Sequence, residues 1–235
     1  METAIIIPAR YDSSRFPGKP LVDILGKSMI ERVWGQCVKV LPPKNVFIAT
    51  DSNKIFDHCT SKGLQSIMTS NSCLTGTDRV YEASEKIKAK TIINVQGDEP
   101  LISPNDLKLV INESKNNPSK IINAMCPITD ETEFRNLSVP KVICNQENKL
   151  LYISRAPIPI NKNNFFNKAW KQVCIYAFPN NYLKIFANYG KKTYIESIED
   201  LEILRFLELG YEVKMIEVSK SSIAVDCKDD VLRVE

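Results

Sequence analysis

Along the first half of the chain, short apolar runs alternate with segments of helical spacing. The runs 4–8, 46–50, 65–68, 91–95 and 121–127 read as strands, and the segments near 28–40, 53–62, 78–88 and 106–113 read as helices. Asp51-Ser52 and Ser103-Pro104-Asn105, or their neighbours, supply capping residues at two helix starts. This alternation predicts an α/β fold with a mostly parallel sheet and right-handed crossovers.

The rhythm changes after Pro127. Strand-like pieces at 141–144, 150–154 and 172–178 are separated by Asn- and Pro-rich turns such as Ile158-Pro159-Ile160-Asn161-Lys162-Asn163-Asn164. They predict an antiparallel insertion within one domain spanning 1–235, since the chain shows no low-complexity linker and no internal repeat. A helix is predicted over 197–209, with Ile198, Leu201, Leu204 and Leu207 on one face and Gly210 as its stop. A strand over 211–218, a short run at 223–226 and a last helical turn near 229–234 complete the reading.

Composition narrows the class. The chain carries 31 basic and 28 acidic residues, so it lacks the electrostatic footprint of a nucleic-acid or anionic-membrane binder. No run approaches the ~18 apolar residues of a membrane span, and no basic segment followed by an apolar one marks a leader. Seven cysteines, odd in number and without a C-x-x-C pair, suit free thiols in a reducing cytoplasm. The only histidine, His58, is expected on a surface helix in a structural role. Any metal must then be held by carboxylates, and oxygen-only ligation favours Mg²⁺ over zinc.

Three clusters carry candidate chemistry. The first follows the strand Ile5-Ile6-Ile7-Pro8: a loop with the cations Arg10, Arg15 and Lys19, and Gly18 before the last. At the carboxyl edge of an open α/β sheet such a loop suits a polyanion; the alternative is a solvated basic loop, because the spacing is not that of a P-loop. The second is Leu74-Thr75-Gly76-Thr77-Asp78-Arg79, a glycine turn opening a helix. It reads either as a phosphate or base site or, on the residues alone, as a helix start with Thr77 as the N-cap. The third is Asn94-Val95-Gln96-Gly97-Asp98-Glu99-Pro100-Leu101, which presents Asp98 at a strand end beside the basic loop. A carboxylate near a triphosphate is repulsive unless a divalent cation lies between them, so Asp98 reads as a metal ligand or, alternatively, as a helix N-cap or turn Asp. Asp226, after Ile223-Ala224-Val225, repeats the pattern with the same alternative.

In this order the motifs Ile7-Pro8-Ala9-Arg10-Tyr11, Ser14-Arg15-Phe16-Pro17-Gly18-Lys19-Pro20-Leu21, Thr75-Gly76-Thr77-Asp78-Arg79, Val95-Gln96-Gly97-Asp98-Glu99-Pro100, Ser154-Arg155-Ala156-Pro157-Ile158-Pro159, Ile175-Tyr176-Ala177-Phe178 and Ala224-Val225-Asp226 resemble those of the 3-deoxy-manno-octulosonate (Kdo) cytidylyltransferases, the CMP-Kdo synthetases of lipopolysaccharide biosynthesis. The resemblance runs nearly end to end. It implies a Rossmann-like nucleotidyltransferase fold with helices on both faces of the sheet, and a homodimer built through the insertion at about 128–190. It implies that the anomeric hydroxyl of the sugar attacks the α-phosphate of CTP. Arg10 and Lys19 would hold the triphosphate and act with Asp98 in catalysis. Pro8, Ala9, Arg15, Thr75, Gly76, Thr77 and Arg79 would complete the nucleotide site, and Asp98 and Asp226 would hold Mg²⁺. Gln96, Arg155, Gln172, Tyr176 and Glu199 would line the sugar site.

The chain departs from the family pattern on the sugar-facing side. Lys171-Gln172-Val173-Cys174-Ile175-Tyr176 stands where the family usually has Lys-His-Ile-Gly-Ile-Tyr, and Phe178-Pro179 replaces Tyr-Arg. Ile160-Asn161 replaces the usual aromatic end of the Ile-Pro segment, and Ala224-Val225-Asp226-Cys227-Lys228 replaces Gly-Val-Asp-Thr-Pro. An amide in place of an imidazole removes a titratable donor and can both donate and accept. The 8-amino analogue of Kdo, or another acidic sugar, is therefore an alternative substrate. Gln172 is expected to face the exocyclic tail of the sugar.

Overall fold

The first strand, β1 (Thr3–Ala9), is buried along its entire length. That is the pattern of a parallel strand with helices on both faces. The structure, a computed structural model, describes residues 1–12, 16–219, 224–225 and 227–234. After β1 comes a small hairpin, β2 (Asp23–Ile24) with β3 (Lys27–Ser28), and then α1 (Met29–Cys37). Ser28 caps α1 in a capping box with Glu31. His58 reaches this cap from α2 (Asn53–Ser61), its Nε2 2.9 Å from Ser28 Oγ, in the structural role expected of it.

The alternation continues through β4 (Val46–Thr50), β5 (Ser66–Met68), α3 (Gly76–Ile87), β6 (Thr91–Val95), α4 (Pro104–Asn116) and β7 (Ile121–Ile128). Ser103 caps α4 by accepting from Asp106 N–H. Beyond β7 lie α5 (Glu131–Arg135), β8 (Lys141–Cys144), β9 (Leu150–Ser154), β10 (Ala169–Pro179), α6 (Asn180–Asn188), α7 (Tyr194–Glu199), α8 (Ile203–Glu208), β11 (Val213–Glu217) and α9 (Lys228–Val231).

The main sheet runs β11-β7-β10-β6-β1-β4-β5. β1 pairs in parallel with β4 and β6, β4 with β5, and β11 with β7. β10 lies antiparallel between β6 and β7. The antiparallel segment is therefore not an appendage. β10 is central to the sheet, and the β8–β9 hairpin branches from it through the Trp170–Val142 pair. A bulge between Val173 and Tyr176 is filled by Asn123, whose amide donates to the carbonyls of Val173 and Ile175 at 3.0 Å each.

One face of the sheet buries Ile5, Ile7 and Ile93 against Ile30 and Val33 of α1, Ile55 of α2 and Val110 of α4. The other buries Ile6 and Ile92 against Val80 of α3, Phe186 of α6 and Phe206 of α8. Each such side chain stabilises the fold by about 1.5–3 kcal/mol.

One expectation needs correction. The helix predicted over 197–209 is two helices, α7 and α8, separated at Asp200, whose φ is 51°. The Arg155 guanidinium takes the carbonyls of Glu199 and Asp200, which a continuous helix would use in its own ladder. Ile198 is consequently exposed while Leu201 and Leu204 are buried. Aromatic side chains of the expected insertion have different surroundings. Phe165 is exposed, but Phe166 packs on Phe134 at 4.9 Å and Trp170 donates to Glu217. The expected run at 223–226 falls largely outside the described residues.

Candidate active site

The carboxyl ends of β1 and β6, adjacent in the sheet, build the floor of a cavity of about 240 Å³. β1 delivers Pro8, Ala9 and Arg10; β6 delivers Gln96, Gly97 and Asp98; all six line it. The two loops meet main chain to main chain. A Cβ on Gly97 would stand 3.0 Å from the carbonyl oxygen of Pro8, so any larger residue there requires the Pro8 backbone to give by a few tenths of an ångström. The β1 loop closes where Gly18 N–H donates to Tyr11 O, with Gly18 at φ 71°. Lys19 then opens a short 3₁₀ turn, Lys19–Leu21. Its ammonium donates to Asp98 Oδ2 at 3.0 Å and to the carbonyl of Val225 at 2.9 Å, while Val225 N–H donates to Asp98 O.

The opposite wall is the start of α3. Thr75, not Thr77, is its N-cap: the Thr75 hydroxyl accepts from Asp78 N–H and donates to Asp78 Oδ2. Thr77 lies two residues on, within the first turn, and is buried, its hydroxyl 3.4 Å from the Asn94 amide. The free N–H groups of this first turn are taken by a carboxylate. Glu202 accepts from Gly76 N–H at 2.9 Å and Thr77 N–H at 2.8 Å. Burial pushes the Glu202 carboxyl up despite these donors. A Cβ on Gly76 would meet Glu202 Oε1 at 3.2 Å and Gln96 Nε2 at 3.3 Å, so a larger residue there would displace these two side-chain ends. Arg79 reaches the cavity but spends its guanidinium on Asp51 Oδ2 and Thr69 Oγ1, both at 2.6 Å.

Of the expected nucleotide residues, Pro8, Ala9, Arg10, Lys19, Thr75, Gly76 and Arg79 line the cavity together, with Asp98 among them, and Thr77 stands behind it. Arg15 and Asp226 lie outside the described residues. Among the described residues there is no cluster of three His, Cys, Asp or Glu side chains suited to a metal.

The expected sugar residues are dispersed. Gln96 lines the cavity; Arg155, Gln172, Tyr176 and Glu199 are not in its lining. Arg155 donates to the carbonyls of Glu199, Leu137 and Asp200 at 2.6, 3.2 and 3.3 Å. The Glu199 carboxylate accepts from Ser154 Oγ, Arg155 N–H and the Tyr152 hydroxyl; burial raises its pKa, but these donors outweigh it and hold it below the usual range. Gln172 donates from Nε2 to Asn123 Oδ1 at 2.8 Å. Tyr176 is buried on the stack with Phe178, and burial pushes its phenol well up. In their place Lys192, Asp200 and Glu202 reach the cavity. The signal for Glu202 was the run Glu199-Asp200-Leu201-Glu202: a helix would put both glutamates on one face, and the left-handed Asp200 turns them apart.

A cavity lined by Arg10, Lys19, Arg79 and Lys192, with Asp98, Asp200 and Glu202 among them, can hold a polyanion and place a second substrate beside it. The comparisons with known proteins agree in kind. A family model described as cytidylyltransferase matches residues 4–216. The 3-deoxy-manno-octulosonate cytidylyltransferase of Protochlamydia amoebophila is 38% identical over 240 residues, 98% of this chain and 92% of that protein. The chain belongs to the 3-deoxy-manno-octulosonate cytidylyltransferase family. The Escherichia coli member is 36% identical, covering 96% of this chain and 91% of its own. The mitochondrial Arabidopsis thaliana member is 38% identical, covering 98% and 81%. A CMP:2-keto-3-deoxy-manno-octonic acid synthetase solved in complex with CTP superposes with a TM-score of 0.92 at 34% identity, over 100% of this chain and 97% of that one. A Leptospira borgpetersenii cytidylyltransferase shares the fold alone, at a TM-score of 0.62 and 15% identity, over 96% of this chain and 82% of that one.

Proposed function

We propose that this protein transfers CMP from CTP to the anomeric hydroxyl of Kdo, releasing pyrophosphate, for lipopolysaccharide biosynthesis. The observation that carries this reading is the cavity where Arg10, Lys19 and Asp98 meet the start of α3, in a chain that superposes end to end on a synthetase solved with CTP. On this reading Arg10 and Lys19 offset charge on the triphosphate, and Pro8, Ala9, Arg15, Thr75, Gly76, Thr77 and Arg79 form or support the nucleotide site. Gln96 and Glu202 face the sugar, with Arg155, Gln172, Tyr176 and Glu199 shaping the wall behind it. No side chain forms a covalent bond to substrate. Attack by a hydroxyl oxygen on a polyanion needs charge neutralisation and in-line placement more than a protein nucleophile.

The donor chemistry fits Mg²⁺. Asp98 offers a partly exposed carboxylate to the cavity, with Lys19 as its present counter-charge, and an oxygen donor suits a hard cation. Asp98, with Asp226 as the second carboxylate, would hold the ion, which supplies positive charge between carboxylate and phosphate and lowers the pKa of the attacking hydroxyl.

The departures at Gln172 and Phe178-Pro179 make 8-amino-Kdo the second substrate to examine. Pyrophosphate release should be measured with CTP, Mg²⁺ and, in turn, Kdo, 8-amino-Kdo and sialic acid. Release with Kdo is expected. Release only with another sugar moves the substrate assignment, and silence with all three overturns the reading. Exposed Phe165, Leu151 and Leu137 on the branching segment support a homodimer, which light scattering at micromolar concentration checks. All seven cysteines are free, in keeping with a reducing compartment such as the cytoplasm; among the described residues no helix is long and apolar enough to cross a membrane.

A further inference from the structure

Arg205 is the largest fully buried side chain among the described residues, and it sits one turn into α8 from Glu202. Its guanidinium forks onto Glu196, Nε to Oε2 at 2.7 Å and Nη2 to Oε1 at 2.6 Å. Nη1 donates to Asp78 Oδ1 at 3.0 Å and to the carbonyl of Phe186, and the Phe186 ring lies 3.6 Å away.

Each partner leads to a wall of the cavity. Asp78 holds the hydroxyl of Thr75, so Arg205 reaches the α3 start through it. Glu196 accepts from the N–H and hydroxyl of Thr193, the neighbour of Lys192 on the cavity's other side. The same helix start carries Glu202, which grips Gly76 and Thr77. Thus α8 holds the first turn of α3 with two arms: Glu202 on its amides and Arg205 on its Asp78.

Burying a guanidinium is a poor route to stability, because desolvation offsets most of the Coulomb gain and an apolar side chain of similar volume does as well. A planar fork with fixed directions instead fixes the relative placement of the groups it joins.

We infer that Arg205 is a positioning residue, holding the α3 start and the Lys192–Glu202 wall in register for both substrates. The inference rests on the reading above that these walls take CTP and the acidic sugar. It is tested in the full-length protein by Arg205→Lys, which keeps the charge but loses the fork, and by Asp78→Asn, which leaves the Arg205–Glu196 pair intact. CTP affinity is read by calorimetry without sugar, and the KM for Kdo and kcat are read at saturating CTP. In both variants the Kd for CTP and the KM for the sugar should rise about tenfold with kcat within about twofold, as expected for loss of a coupled contact. A merely structural role would lower the melting temperature and the active fraction, hence kcat, and leave both constants unchanged; that result overturns the inference. A rise for CTP alone overturns the two-wall part of it. Should Arg205→Lys fail to fold, Asp78→Asn decides on the same criterion. Because CTP affinity is measured without turnover, a wild type that binds CTP but is silent with Kdo would refute the sugar assignment and leave the effect on CTP readable.

Discussion

The two sides of the cavity are built differently. The side formed by β1, β6 and the start of α3 comes from three contiguous strand-end or helix-start motifs, and their residues line the cavity directly. The side beyond it is assembled from β9, β10, α7 and α8, where Arg155, Glu199 and Gln172 are engaged with the protein's own carbonyls, hydroxyls and amides. The first side is made by local sequence, and the second by residues distant in the chain whose polar groups are already partnered. On the function proposed above, chemistry common to every turnover falls to the first, and adjustment to a particular acceptor to the second.

The sharpest way to break this contrast is at Asp98. Asp98→Asn removes the charge that faces Lys19 and would hold Mg²⁺, and it should lower kcat by about a hundredfold or more while the melting temperature changes little. Asp226→Asn is expected to behave alike, and chelation of Mg²⁺ should abolish turnover in the wild type. Near-normal rates for both variants at low Mg²⁺ would remove the metal assignment.

The next test sets Glu202 against Glu199. Glu202→Gln should weaken the hold on Gly76 and Thr77 and raise KM values about tenfold, because a charge-assisted acceptor is replaced by a neutral one. Glu199→Gln, outside the cavity lining, should cost stability of about 1–2 kcal/mol in denaturant unfolding and change KM less. Equal effects on KM would erase the distinction between the wall and its support.

Lys141 gives a pH test of the second side. It is fully buried, donates to the carbonyls of Asn136, Val139 and Arg155, and burial brings its pKa down to about 8 from an ordinary 10.5. Between about 8 and 10.5 the unfolded chain therefore binds the proton more fully than the folded one, so this group's contribution to stability rises with pH across that window. Partly buried thiols such as Cys144, pushed up to about 11, act the other way above 9. The difference between wild type and Lys141→Met cancels them. It should grow by on the order of 1 kcal/mol in favour of wild type from pH 8 to pH 9. A flat difference would show that Lys141 is not held against its charge.

The smallest effect is expected at Gln172. With Nε2 committed to Asn123 at the β10 bulge, Gln172→His should shift the ratio of kcat/KM between Kdo and 8-amino-Kdo by about threefold, less than for a group paired directly with substrate, with the KM for CTP unchanged. An unchanged ratio would show that Gln172 does not choose the acceptor.

These differences also mark what was legible in the sequence. The parallel strands read out because each is an uninterrupted apolar run, and the nucleotide side read out because its residues adjoin those strands. Thr75 lost the N-cap to Thr77 in the sequence reading because both are threonines beside the same glycine; the choice is made by Asp78, which answers Thr75. The break at Asp200 was invisible because Arg155, forty-five residues away, causes it. Glu202 was overlooked for the same reason: its direction depends on that break. The antiparallel course of β10 was evident, but its place between β6 and β7 follows from pairings that no local pattern records.

The contact between Gly97 and the carbonyl of Pro8 has a consequence for redesign. The cationic loop and the acidic one meet backbone to backbone at this point, so a side chain added at position 97 would press directly on their spacing. A designer seeking a new acceptor should leave positions 8 and 97 alone and work on the side built from β9, β10, α7 and α8, where the distances are set by hydrogen bonds that substitution can rewrite.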